Sequence, residues 1–175
     1  MGKQKSIYTQ IAFSAIKEML NTGGTYELES MEPPKELRDK RACFVTLKNS
    51  DNSLRGCIGT LVPYQSSLMV EIIRNAISSA FHDSRFSPLT TSELDNISIS
   101  VEILENSTII KNEDELNPKI YGIIISAKQR RGVLLPDIDG IDTVKEQIRI
   151  VKRKAGIDEL ENEVVIRKFK TTKFY

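Results

Sequence analysis

Leu54-Arg55-Gly56-Cys57-Ile58-Gly59-Thr60 packs two glycines, a thiol and a guanidinium into seven positions. A strand interior avoids glycine, which loses more backbone entropy on ordering than any other residue and offers no side chain to pack. Two glycines flanking Cys57-Ile58 therefore point to another backbone, or a ligand, in close approach. Strand alternation places Arg55, Cys57 and Gly59 on one face and Leu54, Gly56, Ile58 and Thr60 on the other. The second set reads as a core face, and the first gathers the chemistry.

Just upstream, Ala42-Cys43-Phe44-Val45-Thr46-Leu47 is apolar and β-favouring, so it reads as a buried strand. Asn49-Ser50-Asp51-Asn52-Ser53 is turn chemistry, which makes the two strands an antiparallel hairpin. Its register is open. One register sets Cys43 and Cys57 on opposite faces, and a slip of one residue brings them together, where a disulfide becomes conceivable. Cytosolic redox conditions disfavour that second reading.

Downstream of Pro63 a helix is expected from about Leu68 to Phe81, capped by Ser66 or Ser67, with Ile72, Ile73, Ala76, Ile77 and Ala80 as its buried stripe. It delivers the chain to His82-Asp83-Ser84-Arg85-Phe86-Ser87-Pro88, a loop in which Pro88 pushes Ser87 away from helical geometry. Thr91 or Ser92 caps a short turn that includes Glu93. Ile97, Ile99, Val101 and Ile103 then alternate with Ser98, Ser100 and Glu102, a strand with one wet face.

At the start of the chain, an apolar stripe from Ile7 to Leu20 predicts a helix capped by Ser6 and stopped at Gly23-Gly24. Residues 25–37 read as a surface connection. In the last third, Ile109-Ile110 is a short strand, Gly122 to Ala127 and Val133 to Leu135 are strands around a basic tip at residues 128–132, and Val164 to Phe169 closes the fold. Between them, Thr143 and Glu146 form a capping box for a helix that buries Val144, Ile148, Val151 and Ala155 and stops at Gly156. Strands are joined by turns as often as by helices. The fold class is therefore α+β, a mainly antiparallel sheet with flanking helices, in one domain over residues 1–175.

Bulk properties narrow the function. Lys+Arg 25 against Asp+Glu 24 gives a formal charge of +1, so no overall field favours nucleic acid or an anionic membrane. No apolar run is long enough to span a bilayer, and no basic-then-apolar leader opens the chain. Met1-Gly2-Lys3-Gln4-Lys5-Ser6 fits a myristoylation pattern, but a lone acyl chain anchors weakly. Two cysteines and one histidine make neither a disulfide framework nor a four-ligand Cys/His zinc site. The expectation is a soluble cytoplasmic protein without a metal, and the residues name no cofactor.

Leu54-Arg55-Gly56-Cys57-Ile58-Gly59 also resembles the signature hexapeptide of the AMMECR domain family, named after the AMME syndrome candidate gene 1 protein. Asp83-Ser84-Arg85-Phe86-Ser87-Pro88 matches an Asp-x-Arg-Phe-x-Pro motif of that family, and residues 131–136 and 154–157 look like its later landmarks. Members often carry a tryptophan around the last helix, and this chain has none. The resemblance implies two unequal lobes around the signature. It brings no established reaction, but it implies a pathway shared with Memo-like and radical-SAM proteins.

Cys57 has two readings. As a nucleophile it would be favoured toward thiolate by Arg55 on the same face; as a packing residue it is simply small enough for a glycine-tight strand. Cys43 shares a face with Val45 and Leu47 and reads as core. His82, the lone imidazole, either serves a Cys-His mechanism or meets the helix C-terminal dipole, and capping is the favoured role. Asp83 and Arg85 either bind a carboxylate or phosphate or pair with each other to clamp the loop, with Phe86 as its anchor. The candidate ligand-binding set is Arg55, Gly56, Gly59, Thr60, Asp83 and Arg85, with Cys57 as the catalytic candidate. The favoured function is auxiliary: binding a small molecule or protein partner at a cleft around Arg55-Gly56-Cys57. An enzyme using Cys57 on an anionic substrate is the alternative. Arg130-Arg131 lacks interleaved aromatics, which leaves RNA binding last. The Arg55 signature and the Asp83-Arg85 loop are expected to form one site, with Asp83 or a bound anion between the two guanidiniums.

Overall fold

The computed structural model describes residues 6–175, so the myristoylation pattern at Met1–Lys5 lies outside the described residues. Helix α1 (Ile7–Thr22) begins where Ser6 and Thr9 cap each other's backbone amides. It ends at Gly23, whose φ of 76° is the left-handed conformation that glycine takes without penalty. The connection that follows is more ordered than its poor periodicity suggests. It forms a short helix, α2 (Tyr26–Ser30), and a 3-10 turn at Lys35–Leu37 that plants Leu37 in the core.

Strands β1 (Cys43–Lys48) and β2 (Leu54–Gly59) form the expected hairpin, with Thr46 opposite Cys57 and Phe44 opposite Gly59. That register puts the cysteines on opposite faces, and both are free thiols. Helix α3 (Leu68–Phe81) is capped by Ser67. Strand β3 (Ser98–Leu104) pairs antiparallel with β1 on the side away from β2. Its second face is less wet than the alternation implies, since Ser100 is buried.

Four more strands follow: β4 (Thr108–Ile109), β5 (Gly122–Ala127), β6 (Arg130–Leu134) and β7 (Val165–Phe169). They order as β4-β7-β5-β6, with antiparallel pairing throughout. The basic tip is tighter than expected. Only Lys128 and Gln129 turn, with Lys128 at φ 53°, while Arg130 and Arg131 already pair with Ala127 and Ser126. Helix α4 (Val144–Ala155) is capped by Thr143, but only half of the expected box forms: Thr143 Oγ1 accepts the Glu146 N–H, and the Glu146 carboxylate lies toward Arg149 instead. The last strand, β8 (Thr171–Phe174), has no counterpart in the sequence reading and returns to the first sheet, whose order is β2-β1-β3-β8.

The fold is thus α+β with two antiparallel four-stranded sheets rather than one. The chain divides into two compact units, one reaching to Ile103 and resuming at Thr172–Tyr175, the other Leu104–Thr171. In the first, Ala12, Ala15 and Ile16 of α1 and Ile72, Ile73 and Ala76 of α3 bury against Cys43, Val45, Leu47, Ile99 and Val101. Each branched side chain removed from water there contributes ~1.5–3 kcal/mol, before conformational entropy is set against it. In the second, Ile148 and Val151 of α4 cover Ile123 and Ile125. Among the described residues no helix is long and apolar enough to cross a membrane.

Candidate functional site

The signature strand β2 is an edge of the first sheet, so alternate residues turn their backbone groups outward. Cys57 is one of them, and the Asp83–Arg85 loop meets it there. Asp83 Oδ2 accepts the Cys57 N–H at 2.9 Å, and Arg85 Nη2 donates to the Cys57 carbonyl at 3.2 Å. The ion pair supplies one acceptor and one donor, as a neighbouring strand would. The pair itself is bidentate: Arg85 Nε donates to Asp83 Oδ1 at 2.9 Å and Nη2 to Oδ2 at 2.7 Å. Asp83 is buried, with 3% of its side chain exposed, while 54% of the Arg85 side chain is exposed. The hydrogen bonds from Arg85 hold the Asp83 carboxyl well below the usual carboxylate range, outweighing the opposing effect of burial.

Arg55 is also buried and has found its own carboxylate. Its Nε and Nη2 donate to the two oxygens of Glu93 at 2.7 and 3.2 Å, and Nη2 donates further to the Ser87 carbonyl at 3.0 Å. Glu93 additionally accepts the N–H and hydroxyl of Thr90. Chiefly through the Arg55 hydrogen bonds, its pKa falls to about 2. The ring of Phe86 lies against both guanidiniums, 5.9 Å from Arg55 Cζ and 5.5 Å from Arg85 Cζ. The signature and the loop therefore form one constellation. Each arginine has its own carboxylate, Asp83 at Arg85 and Glu93 at Arg55, and both guanidiniums lie against the Phe86 ring.

The glycines are explained within the protein. A Cβ on Gly56 would sit 2.1 Å from the Ser79 carbonyl oxygen of α3, so glycine lets the helix touch the hairpin. The Ser79 hydroxyl enters the β1–β2 ladder there, accepting the Ile58 N–H and donating to the Val45 carbonyl, each at 2.8 Å. A Cβ on Gly59 would strike the Phe44 ring directly opposite, at 2.2 Å. Thr60 donates at 2.6 Å to Glu71, a buried carboxylate that also accepts the Tyr64 and Gln65 N–H groups. Gly56, Gly59 and Thr60 thus shape the strand and its exit rather than line the arginine constellation. Leu54, expected in the core, is 38% exposed at the start of the strand.

Cys57 is half-buried, and its Sγ lies 3.3 Å from the Thr46 hydroxyl on β1. His82 is exposed and sits at the C-cap of α3, its N–H donating to Ser78. Cys43 is fully buried, and burial pushes its thiol up to about 12. Sequence reasoning missed Glu93, Ser79 and Glu71 as partners. Phe86 was read as an anchor, and both arginines stack against it.

The AMMECR1 family model matches residues 9–174. A protein of Thermotoga maritima is 42% identical over 167 residues, covering 95% of this chain and 96% of that one. A protein of Clostridium acetobutylicum is 39% identical over 172 residues; the match takes in 98% of this chain but spans only 36% of the Clostridium protein's length. The crystal structure of an uncharacterized protein from Pyrococcus horikoshii superposes with a TM-score of 0.81 at 30% identity, covering 95% of this chain and 88% of that one. The signature strand, the loop that satisfies its edge and the match along nearly the whole chain agree: the protein belongs to the AMMECR1 family.

Proposed function

We propose that this protein is an auxiliary binding module that holds a small-molecule or protein partner on the surface formed by Cys57, Arg85 and Phe86. The observation that carries this reading is the state of Arg85. Its side chain is 54% exposed, yet a buried carboxylate and the Cys57 carbonyl fix its orientation. A guanidinium held in one geometry loses little entropy when a partner arrives, which favours recognition. Arg55, by contrast, is buried, is paired with Glu93 through Nε and Nη2, and serves to position Phe86 and the loop. The match to about a third of the longer Clostridium protein supports an auxiliary role, since the unit there is joined to further sequence. The family resemblance extends this role to a pathway with Memo-like and radical-SAM proteins. Two free thiols support a cytoplasmic setting.

The alternative, Cys57 as a nucleophile, is favoured by a thiol that is half-buried rather than sealed. The group beside its Sγ is the Thr46 hydroxyl, which is no general base, and Arg55 is paired with Glu93. Iodoacetamide labelling of the native protein across pH separates the two. The binding reading expects Cys57 to label no faster than a free thiol compound under the same conditions. Cys43 should react only after denaturant is added. Cys57 labelling many times faster than the free thiol compound would overturn the binding reading in favour of the enzyme. A thermal-shift screen of carboxylates and phosphates tests the surface itself: a ligand that raises Tm for the parent should fail to do so for Arg85→Gln.

A further inference from the structure

The first unit carries a second candidate site, a cavity of about 310 Å³ that shares no residue with the Cys57 surface. That volume is at the small end of the roughly 300–1,000 Å³ typical of ligand pockets, which suits one small metabolite and excludes a folded peptide. Leu68 and Ile103, both nearly fully buried, give it an apolar floor. Tyr8 and Phe174 wall it with rings stacked at 4.0 Å between centroids. The loop on its far side is tied down by the Leu68 N–H, which donates to the Asp39 carbonyl at 2.9 Å.

Its charged lining is Glu36, Asp39 and Arg41, all exposed. Among the described residues, none of these side chains makes an ion pair or hydrogen bond. This contrasts with the Cys57 constellation, where Arg55 and Arg85 each have a carboxylate. A ligand with the opposite pattern, two cations and one anion, complements this lining of two carboxylates and one guanidinium. The floor and the aromatic wall call for an aliphatic stem between those charges.

We propose that this cavity binds a free basic amino acid, its stem on Leu68, Ile103 and Phe174, its two cationic groups at Glu36 and Asp39 and its carboxylate at Arg41. A phosphate ester meets the wrong net charge, and a neutral amino acid leaves one carboxylate unmatched.

The test is isothermal titration of the full chain with L-lysine and L-arginine. L-norleucine, which lacks the terminal cation, and cadaverine, which lacks the carboxylate, serve as comparators. Binding of lysine or arginine is expected in or below the low millimolar range, with each comparator at least ~10-fold weaker for want of one charged contact. Asp39→Asn and Glu36→Gln should each weaken lysine by a similar factor. Arg41→Gln should bring lysine down to the level of cadaverine. All three residues are exposed, so these variants should melt with the parent. Absence of lysine and arginine binding, equal binding of either comparator, or lysine affinity unchanged in all three variants would overturn the proposal. Each of those outcomes leaves the Cys57 surface reading standing, because the sites share no residue.

Discussion

Asp83 ties the signature strand to its loop, because its two oxygens serve the Cys57 N–H and the Arg85 guanidinium together. Its carboxyl is held well below the usual range by Arg85, and that of Glu93 falls to about 2 beside Arg55. The unfolded chain takes up these protons at ordinary carboxylate pKa values, near ~4, and the folded chain only at lower pH. The stability they contribute is therefore fully present above about pH 4.5 and is lost as pH falls toward about 2. Thermal melts through that window should show a falling Tm, with a shallower fall in Asp83→Asn and Glu93→Gln. At neutral pH, Asp83→Asn should cost ~1–3 kcal/mol, since a buried charge-assisted set is broken. An acid profile unchanged in both variants would remove the pair from the stability account. The Asp83–Arg85 pair was legible in the sequence because its members are two residues apart in a proline-stopped loop. Glu93 was not. It lies 38 residues from Arg55, and among 24 acidic residues nothing local marks it as the partner of a buried arginine.

Helices dock onto both sheets through glycine. Gly56 admits the Ser79 carbonyl of α3, and Gly132 on β6 admits the Val151 carbonyl of α4, which would lie 2.5 Å from an added Cβ. Gly56→Val can be accommodated only by moving α3 off the hairpin, because the obstacle is backbone. A loss of ~1–3 kcal/mol or more is expected, read as a lower urea midpoint. Ser79→Ala removes the hydroxyl bridging Ile58 and Val45 and should cost ~1–3 kcal/mol by leaving both backbone groups short of a partner. A Gly56→Val protein that unfolds with the parent would mean that the helix does not sit this close. The sequence showed that something approaches these glycines, since strands rarely contain two. Whether a ligand, a ring or a helix does so depends on how deeply tertiary packing seats α3, and no local pattern encodes that depth. The hairpin register was open for a related reason: both registers satisfy the turn, and the burial of Val45 and Leu47 under the helices selects one.

On the scale of the whole molecule, the first unit is discontinuous, since its sheet takes β8 from the end of the chain. That strand escaped the sequence reading because Thr171-Thr172-Lys173-Phe174 is short and mostly polar, with one apolar residue to orient it. What gives it a place is Phe174, which joins the first core and stacks on Tyr8 of α1. Deleting residues 171–175 removes that ring and exposes the outer edge of β3, whose N–H and C=O groups then face water or another chain. The truncated protein should lose amide-exchange protection in β3 and α1, fall in Tm, and show a greater tendency to self-associate. Phe174→Ala, which keeps the backbone, should reproduce the loss in α1 while leaving the β3 edge covered. Exchange in β3 that is as slow in the truncated protein as in the parent would mean that the first sheet is complete at three strands and that β8 is an accessory to it.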